Sequence, residues 1–169
     1  METNIFSFQF KDDGEIPNNA KLPVIVYAGI FVDNPDGIES VFNRHGWTNS
    51  WTNGVFDYHH YHTNTHEVLG VKSGTAVVLI GGERGERLDL KIGDVIVLPA
   101  GTGHKRLSQS PDFSVVGAYP DGKSPNLKKR DSSGRTRSLN EIRNVPVPET
   151  DPVFGSEGPL LQQWKAAAN

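Results

Sequence analysis

The sequence predicts an all-β fold, and three observations lead to this prediction. Short apolar runs of strand length recur along the chain, and several alternate apolar with polar residues. Turn-forming residues separate these runs, since 18 glycines and 11 prolines are spread over 169 residues without a period. Closely spaced short strands punctuated by turns are typical of a β-sandwich or small barrel. We therefore expect a jelly roll with a few short peripheral helices.

The length predicts a single domain. A chain of 169 residues is close to the ~150 residues of an average domain and is large enough for one substantial core. We expect residues 1–169 to form that domain, with its core barrel over about residues 47–120. Strands and a helix are expected in residues 1–46, and a loop with short helices in residues 121–169.

The N-terminal part is predicted to contain two strands and one helix. Residues 5–10 alternate apolar and polar side chains, and residues 24–27 form a short apolar run, so both segments are predicted strands. A helix is expected to begin after Asn34 with Pro35 in its first turn, and to end at Gly46. Its buried face would consist of Ile38, Val41 and Phe42.

The remaining elements follow from similar patterns. Residues 75–91 predict a hairpin, and residues 94–98 and 113–119 predict two more strands. A capping-box pattern, Ser138-x-x-Glu141, predicts a short helix that ends before Pro146. The tail predicts a last helix that docks onto the barrel or onto a second subunit, so a homodimer is possible; its apolar face is Leu160, Leu161 and Trp164.

Composition narrows the classes of function. The net charge of −3 argues against a nucleic-acid-binding surface, and the absence of cysteine excludes disulfides and thiolate chemistry. The N-terminus lacks the pattern of a secretory signal, and no apolar run is long enough to cross a membrane. We therefore expect a cytoplasmic protein with a small-molecule partner, neither nucleic acid nor membrane.

A histidine motif carries the strongest functional signal. His60 and His62 are separated by one residue, so in an extended strand both imidazoles point to the same face. A turn after His62 would let Glu67 bring a carboxylate to the same point. His104 follows a glycine- and proline-shaped turn and completes the set. Three imidazoles and one carboxylate suit one divalent transition metal, namely iron, manganese, nickel, copper or zinc.

The spacing of these residues matches two signature motifs of the cupin superfamily. The first extends from Gly54 through His60, His62 and Glu67 to Gly74, and the second from Gly93 through Pro99 and Gly101 to His104. Ser108 departs from the second motif, which usually ends in asparagine. That position shapes a turn and is no ligand, so the metal prediction is unaffected.

The other histidines are predicted to have structural roles. His59 has the opposite parity to His60 and is expected to face outward. His66 is expected to face away from Glu67, unless a β-bulge re-aims it as a ligand. His45 lies at the end of the predicted helix, where a cation interacts favourably with the helix dipole.

Substrate contacts are predicted from side-chain parity. Tyr58 shares the parity of His60, and Arg106 shares that of His104, so both are candidate catalytic residues in contact with substrate. Trp47 and Trp51 precede the motif and are interpreted either as the wall of a ligand pocket or as a packed barrel rim.

Two downstream segments resemble anion-binding elements. Residues 117–124 match the phosphate-loop pattern G-x-x-x-x-G-K-S, but Pro125 follows at once and no helix is predicted there, so nucleotide binding is not expected. Residues 123–137 are rich in basic residues and are interpreted as a solvated loop, or alternatively as an anion-binding lid over the site.

Beyond the two motifs, nearly the whole chain resembles the YjlB-like single-domain cupins, a largely uncharacterised group. The similar segments are DDGEIPNN, WTNSWTNGVFDYHHYHTNTHEVLGV, GDVIVLPAGTGHKRL, VVGAYPDG and VPVPETDPVFGSEGPL. The resemblance implies a double-stranded β-helix with a metal at His60, His62, Glu67 and His104. It implies no particular reaction, because cupins include dioxygenases, decarboxylases, isomerases, epimerases and binding proteins.

The leading functional hypothesis is a metal-dependent enzyme, dioxygenase-like if the metal is iron, that acts on a small oxygenated metabolite. Four protein ligands around an octahedral metal leave two positions open for substrate. An alternative is a Lewis-acid isomerase or epimerase of sugars or sugar phosphates, which predicts zinc, nickel or manganese. A non-catalytic small-ligand-binding or metal-binding protein is the third hypothesis.

Overall fold

The computed structural model describes residues 4–129 and 134–168. The strands are β1 (Asn4–Phe8), β2 (Val24–Ala28), β3 (Trp47–Asn53), β4 (His60–Tyr61), β5 (Glu67–Ser73), β6 (Thr75–Ile80), β7 (Glu86–Lys91), β8 (Val95–Leu98), β9 (His104–Gln109), β10 (Ser114–Pro120) and β11 (Lys128–Lys129). The helices are α1 (Ile38–Arg44), which follows a 3-10 turn (Pro35–Gly37), α2 (Arg135–Asn144) and α3 (Pro159–Ala168). The predicted all-β class is confirmed.

The strands form two antiparallel sheets. One has six strands in the order β1-β2-β8-β5-β10-β3, and the other has five in the order β11-β4-β9-β6-β7. An apolar core cluster is built from inward-facing side chains of both sheets, among them Leu69, Val78, Ile96 and Val115. Because side chains alternate along each strand, the same strands leave a second set of apolar residues for the outer face of the larger sheet.

That outer face carries a second core, covered by α1 and α3. In β8, Ile96 belongs to the inner core and Val97 to the outer one, which explains the continuous apolar run in the sequence. The tail helix packs here against its own chain: Leu160, Leu161 and Trp164 are all buried, and the Trp164 indole donates to the carbonyl of Pro23. The tail was predicted to dock either onto the barrel or onto a second subunit, and in the described part of the chain it docks onto the barrel.

Buried Asp151 fixes the approach to α3. Its Oδ2 accepts hydrogen bonds from the Tyr27 hydroxyl at 2.7 Å and from the backbone N–H of Leu160 at 3.1 Å. Its Oδ1 accepts from the N–H groups of Val153 and Phe154. Burial and the neighbouring Asp151 charge raise the pKa of Tyr27, so its hydroxyl stays protonated as the donor.

Two local predictions were wrong. The shared parity of Tyr58 and His60 requires a strand that leads into His60, but residues 54–59 lie outside any strand and β4 begins at His60. Helix α2 begins at Arg135, not at Ser138, whose N–H already donates to the carbonyl of Gly134 within the helix. Ser138 is therefore buried inside α2 and caps nothing.

The phosphate-loop pattern does not form a phosphate loop. Strand β10 continues to Pro120, a turn follows with Gly122 at a φ of +67°, and residues 123–127 are not helical. The N–H groups at the start of a helix, which that motif requires, are therefore missing from these residues. Among the described residues, no helix is long and apolar enough to cross a membrane.

Candidate metal centre

The candidate metal centre lies between the two sheets, where β4, β5 and β9 meet. His60 on β4 pairs directly with His104 on β9 in the antiparallel ladder. His62 follows β4, a bend at Thr63 and Asn64 reverses the chain, and Glu67 opens β5 in the facing sheet. Residues that are distant in the sequence thus converge at one end of the inner core.

Three of the four predicted ligands form a tight group. Ligand atoms of His62, Glu67 and His104 all lie within 4.8 Å of one another, and such a group could hold a metal ion. Glu67 Oε1 is 3.4 Å from His62 Nε2 and 3.4 Å from His104 Nε2. The His60 ring lies beside this group, with its centroid 4.0 Å from that of His104 and 6.1 Å from that of His62.

The three imidazoles share one hydrogen-bonding arrangement. His60 Nδ1 contacts the carbonyl of Tyr58 at 3.0 Å, and His104 Nδ1 contacts that of Thr102 at 3.0 Å. His62 Nδ1 contacts the carbonyl of Asn126. A carbonyl can only accept, so each Nδ1 carries the proton and each neutral ring keeps its Nε2 lone pair for a metal.

Glu67 is a buried carboxylate whose hydrogen bonds are incomplete. The residue is 3% exposed, and its Oε1 has no hydrogen-bond partner among the described residues. Burial alone would raise the pKa of Glu67, but the adjacent imidazoles of His104 and His62 lower it below its usual range. The group is thus an anion at neutral pH, and a buried anion whose hydrogen bonds are incomplete is stabilised by a cationic partner.

His60 and His62, two of the predicted ligands, have shifted pKa values. Burial, together with the nearby His104, lowers the pKa of His60 to about 3, so His60 is neutral at physiological pH. Burial also disfavours the charged form of His62, but the contact with Glu67 outweighs it and raises the pKa of His62. A metal at His62 Nε2 would therefore compete with a proton for that nitrogen.

A cavity of about 570 Å³ opens onto the centre. Its inner end is formed by His60, His62, Glu67 and His104, and its rim by apolar Phe56 and Leu127, which are 51% and 46% exposed. A larger surface cleft of about 950 Å³ lies beside α2, and the group of residues suited to a metal lies outside it. The smaller cavity therefore has the features of a ligand site, an open mouth and a polar inner end.

Trp51 and Tyr119 form part of the cavity wall. The Trp51 indole donates a 2.8 Å hydrogen bond to the Tyr119 hydroxyl, and burial together with the Glu67 charge raises the pKa of Tyr119. Trp47 instead is fully buried in the outer core. Each of the two interpretations therefore holds for one tryptophan: Trp51 forms part of the pocket wall, and Trp47 packs in the outer core.

The two predicted substrate contacts differ in position. Arg106 lines the cavity, whereas Tyr58 is not among its lining residues. The Tyr58 ring stacks on Phe56 at 4.9 Å, and Lys129 Nζ lies 4.8 Å from its centroid. Because residues 54–59 form no regular strand, side-chain parity does not place Tyr58 inward as it would in a β-strand.

The other histidines lie outside the centre. His59 does not face solvent as predicted: it is 4% exposed, and its Nδ1 contacts Glu83 at 3.1 Å. His66 faces away from Glu67, as predicted, and lies in a T-shaped contact with Trp164. His45 caps α1 and contacts the carbonyl of Pro152 at 2.9 Å.

The basic loop contributes to the site in a way that the sequence did not reveal. Pro125, Asn126 and Leu127 line the cavity, and residues 130–133 lie outside the described residues. Besides the Asn126 carbonyl on His62, the Asn126 amide donates to Thr63 Oγ1 at 2.6 Å and accepts from the Thr63 N–H at 2.9 Å. Thr63 Oγ1 donates in turn to Glu141 on α2 at 3.0 Å. This part of the loop is thus an anchored wall of the site.

The donor set at this centre fits a divalent transition metal. Two imidazole nitrogens, of His62 and His104, and the ionised Glu67 carboxylate form one group, and the His60 ring lies beside it. The carboxylate Oε1 has no hydrogen-bond partner among the described residues. Two facing antiparallel sheets with such a centre at one end define a β-barrel protein with a candidate His/Glu metal site.

Sequence comparison identifies the family. The profile of the cupin family matches residues 47–141, and the chain belongs to this family. Over 165 residues it is 45% identical to the uncharacterized protein YjlB of Bacillus subtilis. The alignment covers 97% of this chain and 99% of that protein. The chain is therefore a YjlB-like cupin.

Solved structures with partial similarity include two bacterial proteins. An uncharacterized conserved protein of Klebsiella pneumoniae with a double-stranded β-helix domain is 16% identical, with a TM-score of 0.39 over 76% of this chain and 79% of that one. Acireductone dioxygenase from Bacillus anthracis, with a cadmium ion in its active centre, is 22% identical, with a TM-score of 0.38 over 59% of this chain and 67% of that one.

Proposed function

We propose that this protein is a metal-dependent enzyme, dioxygenase-like in its chemistry, that acts on a small oxygenated metabolite. The observation that carries the proposal is the Glu67 carboxylate. Its Oε1 is buried, has no hydrogen-bond partner among the described residues, and lies 3.4 Å from Nε2 of both His62 and His104. A divalent cation at that point would supply the missing partner.

In this proposal His60, His62, Glu67 and His104 hold the metal through three Nε2 atoms and a carboxylate oxygen. The metal, when bound, polarises substrate oxygens and, if it is redox-active, activates dioxygen. One carboxylate offsets only part of a divalent charge, so the centre favours anionic, enol or diol substrates.

The other residues of the cavity control access and orientation. The apolar rim of Phe56 and Leu127 admits a small organic molecule and shields the inner end from water. Arg106 is our candidate for direct substrate contact, because it lines the cavity. Tyr58 retains a positioning role, since its backbone carbonyl accepts the Nδ1–H of His60.

The test is oxygen uptake by anaerobically purified, iron-loaded protein offered a panel of small enols, diketones, diols and hydroxy acids. We expect oxygen consumption with at least one compound, none for zinc-loaded protein, and none for iron-treated Glu67→Gln. Turnover by zinc- or manganese-loaded protein without oxygen uptake would contradict the dioxygenase class and indicate isomerisation. Absence of turnover under all metals, with metal bound, would indicate a binding protein.

A further inference from the structure

Arg106 occupies an unusual position in strand β9. The ladder between β6 and β9 pairs Val78 with Arg106 and Val77 with Ser108, so Leu107 is an extra residue without a partner. Such a β-bulge changes the parity of the residues that follow it. As a result both Arg106 and Gln109 lie among the cavity-lining residues, although their numbers differ by three.

The guanidinium of Arg106 has hydrogen bonds left to make. Its Nε is buried and has no hydrogen-bond partner among the described residues. Its Nη2 lies 3.8 Å from Asp57, whose side chain is 72% exposed, so solvent weakens this ion pair. Most buried donors in native proteins are satisfied, and an unsatisfied one in a cavity wall indicates a group that binds there.

Charge and shape specify what that group is. Arg106 is the one permanently charged cation among the described residues that line the cavity. A guanidinium presents parallel N–H donors that match the two oxygens of a carboxylate. The side-chain amides of Asn53 and Gln109 line the same cavity and offer further polar contacts. Arg106 carries one positive charge and the amides carry none, so this wall of the cavity matches the single charge of a carboxylate better than the double charge of a phosphate.

Distance sets the size of the ligand. His104 and Arg106 are two residues apart on one strand, which corresponds to about 7 Å along the backbone. A cavity of about 570 Å³ contains both ends of this span. A ligand that reaches from one to the other needs a short carbon chain between its two polar ends.

We propose that Arg106 binds the carboxylate of a small substrate whose opposite end carries the oxygen donors that enter the centre of His62, Glu67 and His104. The substrate class is a short dicarboxylate, or a hydroxy or keto acid of similar length. This inference rests on the proposed metal centre for its second anchor, but the Arg106 contact is independent of the reaction that follows.

The test pairs a change in the ligand with a change in the protein. Zinc-loaded protein is titrated calorimetrically at fixed pH with the dicarboxylates from oxalate to adipate, and the tightest binder is compared with its monomethyl ester. We expect wild-type protein to prefer the dicarboxylate by about 10- to 100-fold, the usual range for a charge-assisted bidentate contact. Arg106→Gln should lose this preference, and Arg106→Lys should retain part of it. Arg87→Gln, on the exposed outer strand β7, is the matched control and should bind like wild type.

Two results would overturn the inference. One is an unchanged preference in Arg106→Gln; the other is inorganic phosphate that binds more tightly than every dicarboxylate in an Arg106-dependent manner. The metal-free protein separates this inference from the proposed function. Arg106-dependent carboxylate binding without metal retention would leave the Arg106 contact standing and remove the metalloenzyme together with the second anchor. Metal binding with Arg106-independent ligands would remove the Arg106 contact and leave the proposed function standing.

Discussion

His66 and Glu67 are adjacent in the chain, both buried, and opposite in role. His66 points into the outer core, where its Nδ1 accepts from the Ala100 N–H at 2.9 Å and its Nε2 donates to the carbonyl of Pro146 at 2.9 Å. Glu67 points into the inner cavity, where its Oε1 has no hydrogen-bond partner among the described residues. Every polar atom of the imidazole is satisfied, and one oxygen of the carboxylate is not.

The difference shows how to tell a structural polar group from a functional one in this barrel. A satisfied buried group stabilises the fold and leaves nothing for a ligand, whereas an unsatisfied one costs stability unless something binds it. His66 should therefore matter for folding and Glu67 for binding. The following predictions test that division, from the largest expected effect to the smallest.

The largest effect is expected for loss of an inner ligand. His104→Ala removes one of the imidazole nitrogens next to Glu67, so we expect metal affinity to fall by more than about 100-fold, beyond the range typical of residues that only support a ligand. Chelator competition at pH 7.5 measures it. His45→Ala, at the end of α1 and outside the centre, is the control and should keep wild-type affinity.

His66 should show the opposite pattern, with a large effect on stability and none on metal affinity. His66→Ala leaves the Ala100 N–H and the Pro146 carbonyl unpaired and opens a space beside Trp164, so we expect a loss of about 3 kcal/mol in the free energy of unfolding. Urea denaturation measures this loss. Metal affinity of the folded variant should stay as in wild type. A large loss of affinity with little change in stability would contradict the division.

Acid should destabilise the metal-free protein through His66. Burial lowers the pKa of His66 to about 4, below its ordinary 6.5, so the unfolded chain binds the proton first as the pH falls. Stability therefore declines as the pH drops from about 6.5 towards 4, by about 2 kcal/mol between pH 7.5 and 5. Urea denaturation of wild type and His66→Gln at both pH values isolates this contribution. An equal pH dependence in the two proteins would show that His66 does not cause it.

The smallest effect is expected for Asn126, which tests the support of a single ligand, His62. Its side chain bonds both the N–H and the hydroxyl of Thr63, and so holds the carbonyl that accepts from His62. We expect Asn126→Ala to lower metal affinity by about 10-fold, with a much smaller change in stability than His66→Ala. The exposed Asn140→Ala on α2 is the matched control. Equal metal affinities of the two variants would mean that the hydrogen bonds of the Asn126 side chain to Thr63 do not orient His62.

Much of the fold could be read from the sequence because the signals were local. The alternation of β7, the continuous run of β8 and the Pro35-containing start before α1 each depend on neighbouring residues, and the corresponding elements are present. The start of α2 was missed because a capping-box pattern identifies residue types and cannot show that the helix already continues upstream of Ser138.

The site was predictable where spacing sets geometry and not where distant segments meet. The opposite orientations of His66 and Glu67 follow from strand parity. The irregular chain at Tyr58 and the bulge after Arg106 break that parity, and neither has a sequence signal such as glycine at the bulged position. Asn126 reaches His62 across 64 residues, a long-range contact that one sequence does not encode locally.

The most direct test of the metal centre is elemental analysis of the purified, untagged protein after anaerobic handling. The His60→Ala/His104→Ala double variant, prepared in parallel, is its control. We expect about one divalent transition metal per chain in the wild type and none in the double variant. Wild-type protein that contains no metal as purified, and retains none after loading with iron, manganese, nickel, copper or zinc, would contradict the metal centre.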